Sequence, residues 1–150
     1  MDIDEEVRKI SEIIEDNKDE AIKKIKVLVD GAESFDDYIY ITAIVCTPGG
    51  SHGQKNGLND KHWGRELMIK QMEITDDSYD LSQLANNILD EEYLGDSELA
   101  KQVFKKMKDN ASDLSGYENL LTGLCDAILR DETFKEDAIH VANETLKMCS

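Results

Sequence analysis

The sequence predicts an all-α fold, an α-solenoid-like, right-handed stack of about four antiparallel helical hairpins with about eight helices. Three observations predict it. First, Leu58-Asn59-Asp60-Lys61-His62-Trp63-Gly64-Arg65-Glu66-Leu67-Met68 nearly repeats 36 positions later as Leu94-Gly95-Asp96-Ser97-Glu98-Leu99-Ala100-Lys101-Gln102-Val103-Phe104. Both stretches run leucine, turn residue, Asp, two polar residues, large apolar, small, basic, polar, aliphatic, large apolar. A period of this length marks stacked helical hairpins. Second, the 150 residues include one proline, Pro48, and only nine glycines, so helix breakers are few. Third, apolar residues recur at helical spacing along most of the chain.

The elements follow in order. Ile3, Val7, Ile10 and Ile14 form one helical stripe; Ala21, Ile22, Ile25, Leu28 and Val29 form a second. The polar break Asp16-Asn17-Lys18-Asp19 separates them, and Asp19 is expected to cap the second helix. This first unit covers roughly residues 3–30.

The second unit, roughly 35–74, opens near Ser34-Phe35-Asp36-Asp37. The run Tyr38 to Cys46 is apolar on nearly every side and rich in β-branched and aromatic residues. Its composition reads as a buried strand, whereas its place in the repeat reads as a buried helix, which is the expectation adopted. A helix from Asp60 to about Ile74 presents Trp63, Leu67, Met68 and Met72. Trp63 aligns with Leu99, which predicts a packing role.

The third unit, roughly 78–109, carries Leu81, Leu84, Ala85 and Ile88 on its first helix. Gly95 sits where a left-handed terminator belongs, and Asp96 can cap the second helix. That helix presents Leu99, Ala100, Val103, Phe104 and Met107. The fourth unit, roughly 115–148, holds two candidate capping boxes, Ser115 to Glu118 and Thr133 to Glu136. The second helices are thus expected to start near 19, 60, 96 and 133, and one small residue recurs in each: Ala21, Gly64, Ala100 and Ala138. That position predicts close approach of neighbouring helices.

Small residue, three spacers and a bulky apolar residue recur in the second helices, best in Ala100 with Phe104 and Gly64 with Met68. Ala138 with Ala142 and Ala21 with Ile25 follow more loosely. Over residues 35–148 this pattern resembles tetratricopeptide-like and Sel1-like helical repeats. The marker aromatic and glycine positions of a tetratricopeptide first helix, and the Gly-rich Sel1 turn, are absent. The resemblance implies a hairpin stack and, by analogy, a protein-binding scaffold.

The net charge is −16, from 33 acids and 17 bases. That balance opposes nucleic acid, whose phosphates require Lys and Arg, and opposes anionic membrane surfaces. It suits a basic protein partner. Met1-Asp2-Ile3-Asp4-Glu5-Glu6 lacks the basic start and apolar run of a signal peptide. Three scattered cysteines, Cys46, Cys125 and Cys149, do not form a disulfide framework, and a reducing cytoplasm is expected.

The sharpest functional signal is charge asymmetry. From Gln71 through Ala100 there is no Lys or Arg, but there are nine acids: Glu73, Asp76, Asp77, Asp80, Asp90, Glu91, Glu92, Asp96 and Glu98. Helix ends in a hairpin stack line one edge, which places Asp90, Glu91 and Glu92 beside Asp131 and Glu132 of the next unit. The candidate protein-binding set is therefore Asp76, Asp77, Asp80, Asp90, Glu91, Glu92, Tyr93, Asp131 and Glu132. Tyr79 and Tyr117 also stand near acids in sequence, a common interface composition.

The other candidates are weaker. Residues 47–57 form one long Gly-rich loop, but Gly53-Gln54-Lys55-Asn56 lacks P-loop spacing and the Mg²⁺-binding hydroxyl. Cys46, His52 and His62 lack the paired spacing of a zinc site, no third group orients a Cys–His pair, and His140 reads as a surface residue. No catalytic residue, metal or cofactor is expected. The reading is a protein-interaction module for a basic partner, in its specific form a bacterial-style immunity protein or inhibitor neutralising a cationic toxin. The alternatives are an enzyme or small-ligand binder built on loop 47–57, and a structural subunit of a larger assembly.

Overall fold

Eight α-helices and one short 3-10 turn account for all the regular structure, with no strand, in a computed structural model that describes residues 1–150. The helices are α1 (Ile3–Ile13), α2 (Lys18–Gly31), α3 (Phe35–Cys46), α4 (Lys61–Glu73), α5 (Ser78–Leu89), α6 (Ser97–Asn110), α7 (Leu114–Ile128) and α8 (Lys135–Met148). They pair as antiparallel hairpins: α1 with α2, α3 with α4, α5 with α6, and α7 with α8. The fold is therefore all-α and built of helical hairpins. None of the helices is long and apolar enough to cross a membrane.

The chain divides into two units. One comprises Met1–Ile74 with Glu92–Leu94 and holds α1 to α4; the other comprises Thr75–Glu91 with Gly95–Ser150 and holds α5 to α8. Both repeat one packing scheme. The first helix of a hairpin packs on the first helix of the next, α1 on α3 and α5 on α7, and the intervening second helix also meets the later one, α2 on α3 and α6 on α7.

In the first unit the core joins Val7 and Ile10 of α1, Ala21, Ile25 and Leu28 of α2, Ile41, Ile44 and Val45 of α3, and Leu67 of α4. The ambiguous segment 38–46 is helical. Ser34 accepts from the Asp37 N–H at 3.2 Å, and the Asp37 carboxylate accepts from the Ser34 N–H at 3.1 Å, closing a capping box at the start of α3. α3 then packs on α1, α2 and α4. A helix covered on several sides needs apolar residues all round, which explains its strand-like composition. Each fully buried Ile there contributes about 1.5–3 kcal/mol. Trp63 is half-buried against this core.

The second unit's core carries Leu81, Leu84 and Ile88 of α5, Leu99, Val103 and Phe104 of α6, Leu120 and Leu124 of α7, and Val141 of α8. Phe134 is fully buried and meets Phe104 edge to face, with ring centroids 5.5 Å apart.

Three expected caps are displaced. Asn17, not Asp19, caps α2 by accepting from the Glu20 N–H at 3.1 Å. Asp113, not Ser115, caps α7 by accepting from the Gly116 N–H at 2.8 Å, and Ser115 falls inside the first turn. Asp131, not Thr133, caps the 3-10 turn Glu132–Phe134, after which α8 starts at Lys135 with no side-chain cap. In each case an Asn or Asp stands two residues before the expected cap and reaches the unpaired N–H groups first. The repeat itself is punctuated by aspartate: Asp60 and Asp96 cap α4 and α6, and Asp77 and Asp113 cap α5 and α7. Gly95 has φ +58°, the left-handed conformation expected of it.

Candidate functional site

Of the candidate acids, Asp76, Asp77 and Asp80 fall at the start of α5, and Asp90 and Glu91 follow its end. Asp77 caps the helix through the Asp80 N–H at 2.9 Å, the Asp80 carboxylate accepts from the Thr75 hydroxyl at 2.9 Å, and that hydroxyl accepts from the Asp77 N–H at 3.2 Å. Asp76 lies 3.4 Å from Lys106 Nζ and accepts from Asn110 Nδ2 at 3.3 Å. These carboxylates serve the helix start, where its partial positive charge favours them. Asp90 and Glu91 lie beyond the other end, on the order of 20 Å away at 1.5 Å rise per residue.

Beyond that other end the chain turns into α6, and the turn before α8 is linked to it through Ser97. The Asp90 N–H donates to the Asn86 and Asn87 carbonyls, closing α5, and Gly95 N–H returns to the Asp90 carbonyl at 3.0 Å. Asp96 then caps α6 through the Leu99 N–H at 3.0 Å. Across from it, Asp131 accepts from the Thr133 N–H at 2.9 Å and also from the hydroxyls of Thr133 and Ser97. Because Ser97 is the first residue of α6, that bond links the turn of Asp131 and the exposed Glu132 to the start of α6, directly after the Asp96 cap. The Thr133 N–H foremost, then the two hydroxyls, hold the Asp131 carboxyl below the usual carboxylate range, with Lys101 adding a smaller effect in the same direction.

Glu92 and Tyr93 belong to the first unit. Lys61 Nζ donates to the Glu92 carbonyl and, at 2.8 Å, to the Cys46 carbonyl, which ties this strip of chain to the end of α3. Tyr93 is only 7% exposed, so its ring packs inward; Tyr79 is exposed and Tyr117 half-buried.

The Gly-rich loop is pinned. Lys55 N–H donates to Ser11 Oγ at 2.9 Å, Asn56 Nδ2 to the Ser11 carbonyl at 3.1 Å, and Gln54 Nε2 to the Tyr40 carbonyl at 3.0 Å. Gly50, Gln54 and Gly57 N–H groups all donate to carbonyls of the loop itself. A phosphate cradle needs backbone N–H groups turned outward, and here they close the loop on itself and on α1. Gly57 passes so near Thr47 that a Cβ on it would stand 2.9 Å from the Thr47 carbonyl carbon.

Cys46 is fully buried, and burial pushes its thiol up to about 12, the opposite of what a nucleophile or metal ligand requires. His62 lies 3.5 Å from Glu66, His140 lies 3.0 Å from Glu144, and His52 stacks edge-on to Tyr40 at 5.5 Å, so the three histidines stand in separate surroundings. No group of three or more His, Cys, Asp or Glu side chains is placed to hold a metal ion.

In the second unit, α6 and α8 flank a groove floored by α7, with three lysines on the α6 wall. Its walls lie far apart along the chain, so the sequence shows only the lysine spacing on α6. Comparison of the chain with protein-family models, with curated proteins and with solved structures gives no match.

Proposed function

We propose that this protein is a protein-interaction module in which helical hairpins present an acidic end to a basic partner. The observation that supports the reading is the Asp131–Ser97 hydrogen bond, which links the Asp131–Glu132 turn to the start of α6, one residue after Asp96, within the second unit. Charges of one sign gathered at one end raise the rate at which an oppositely charged protein finds it. Two further points support the reading. The net charge of −16 suits a basic protein, and the hairpin pattern is similar to tetratricopeptide-like and Sel1-like repeats, whose members are mostly protein-binding scaffolds. In its specific form the module is an immunity protein or inhibitor that occludes a cationic toxin or nuclease.

The test is co-purification from the native host at low and high salt, followed by kinetics with the recovered partner. Glu91→Lys with Glu132→Lys reverses two exposed charges and leaves the Asp131 cap intact. The association rate is expected to fall at least about tenfold at low salt and to lose most of its salt dependence. An unchanged rate and affinity for the double variant means that this end is not the interface.

A second reading, a subunit of a larger assembly, is favoured by the apolar residues the last hairpin leaves exposed: Leu129 at 87%, Leu146 at 67% and Ile139 at 53%. Terminal repeats that end a stack carry a polar outer face. Sedimentation velocity of the protein with Ile139→Glu and Leu146→Glu tests it: an assembly built on that face falls to monomers, while a monomeric wild type removes the reading.

A further inference from the structure

The groove between α6 and α8 runs against the net charge of the chain. In a chain of net charge −16, Lys101, Lys105 and Lys108 stand along its α6 wall at spacings of four and three residues, which places them on one face of the helix. Leu120 and Leu124 of α7 and Val141 of α8 form its floor. The far wall adds His140, which is 3.0 Å from Glu144, and a single acid, Asp137.

The lysines are not equivalent. Lys101 lies 3.2 Å from Glu98, and its Nζ stands 5.7 Å from the Phe134 ring centroid. Lys106, on a neighbouring face of α6, pairs with Asp76. Lys105 and Lys108 have no acidic partner, although acids outnumber bases in this chain by 33 to 17. Two unpaired cations over an apolar floor form a surface complementary to an apolar group flanked by carboxylates.

Dimensions narrow the occupant. The cavity is about 190 Å³, whereas an apolar cavity of about 150 Å³ suffices for benzene, so it admits one bulky apolar side chain. Lys101 to Lys108 spans roughly 10 Å along the helix, the length of about three residues of extended chain. We propose that this groove binds a short acidic segment of a partner protein, with one aromatic or branched apolar residue seated on Leu120, Leu124 and Val141 and flanking Asp or Glu residues at Lys105 and Lys108. The inference does not depend on the acidic end, since a basic partner is repelled here.

The test uses a fluorescein-labelled hexapeptide, Asp-Glu-Phe-Leu-Glu-Asp, titrated with the full chain at about 0.1 M salt, where a Debye length near 10 Å screens the distant acids. Saturable anisotropy is expected, with amide shifts in a ¹⁵N spectrum centred on residues of α6 and α8. Lys105→Glu with Lys108→Glu is expected to weaken binding at least about tenfold, and Lys105→Ala with Lys108→Ala by less, the arithmetic of two lost pairs and two added repulsions. Replacing Phe-Leu in the peptide by Ser-Ser is expected to cost a similar factor. Circular dichroism is the control, and both variants are expected to keep the helical spectrum of the wild type.

Absence of binding up to about 1 mM, binding indifferent to the lysine reversals, or shifts centred elsewhere overturns the proposal. Decanoate is the competing probe. If it moves the groove resonances while the peptide does not, the site takes a small amphiphilic carboxylate and the peptide assignment fails.

Discussion

Gly64 of α4 sits against Cys46 at the end of α3, so close that a Cβ on it would stand 3.3 Å from the Cys46 Cβ and well inside contact distance of the sulfur. Ala21, Ala100 and Ala138 occupy the same register in α2, α6 and α8, and all are buried. A small residue at this place lets the second helix of each hairpin lie close to its neighbour.

Gly64→Ala is therefore expected to destabilise the protein by about 1–3 kcal/mol through overpacking, against a gain of up to about 1 kcal/mol in helix propensity. Gly31 ends α2 with nothing within 4 Å of the place a Cβ would take, so Gly31→Ala serves as the control and is expected to be neutral or stabilising by about 0.5 kcal/mol. Urea midpoints measure both. Adding Cys46→Ala to Gly64→Ala removes the sulfur and is expected to recover part of the loss; no coupling between the two sites would mean that the clash is not the cause.

The Cys46 thiol gives an alkaline signature. Its folded value of about 12 lies above the ordinary value of 9.0. Between those limits the unfolded chain ionises while the folded chain holds its proton, so unfolding gains as pH rises. The thiol's contribution is whole below pH 9 and is lost progressively toward 12. Cys46→Ala is expected to show a shallower fall in melting temperature from pH 9 to pH 11 than the wild type. At pH 8, iodoacetamide is expected to label the exposed Cys125 and Cys149 and to reach Cys46 only after unfolding.

Much of this architecture is legible in the residues themselves. The 36-residue offset between Asp60 and Asp96 returns as two equivalent caps, and the same offset relates Asp77 to Asp113. That second pair is equally visible in the sequence, but Ser115 to Glu118 offers a local capping-box pattern that competes with it. Segment 38–46 misleads by composition because burial on several sides selects apolar residues whatever the backbone does. The acidic run from 73 to 98 looks continuous in sequence, yet α5 carries Asp77 and Asp90 to opposite ends. The groove is out of reach of the sequence, because Lys105 and Val141 line one cavity only once α6, α7 and α8 have packed.

Asp37 supplies an acid-range test. Its carboxylate accepts from the Glu33 N–H at 3.0 Å and from the Ser34 N–H at 3.1 Å, and these bonds, Glu33 first, hold it below the usual range against a partial opposing effect of burial. A carboxyl lowered in the folded state stabilises it above the ordinary value near 4, and that stability is lost as pH falls through the lowered one. Asp37→Ala is expected to cost about 1 kcal/mol at pH 7. The gap between the two proteins is expected to close steadily below pH 4, as followed by urea titrations. A constant gap down to pH 2 would show that packing around the start of α3 is responsible and not the charged cap.

Ser11 decides whether the Gly-rich loop is held or merely resting. It is 1% exposed, donates to the Arg8 carbonyl at 2.8 Å, and accepts from the Lys55 N–H at 2.9 Å. Ser11→Ala keeps the helix and leaves the Lys55 N–H without its acceptor, at a cost of about 1 kcal/mol for one part-buried hydrogen bond. The Asn56 side chain, which bonds the Ser11 carbonyl, is unaffected by the change. Hydrogen exchange at the Lys55 amide is expected to accelerate sharply, together with proteolytic cleavage within residues 49–56, while amides of α5 to α8 keep their protection. Exchange at Lys55 equal to wild type would mean that the Ser11 hydroxyl takes no part in ordering the loop, which its own turns, Gln54 and Asn56 then hold.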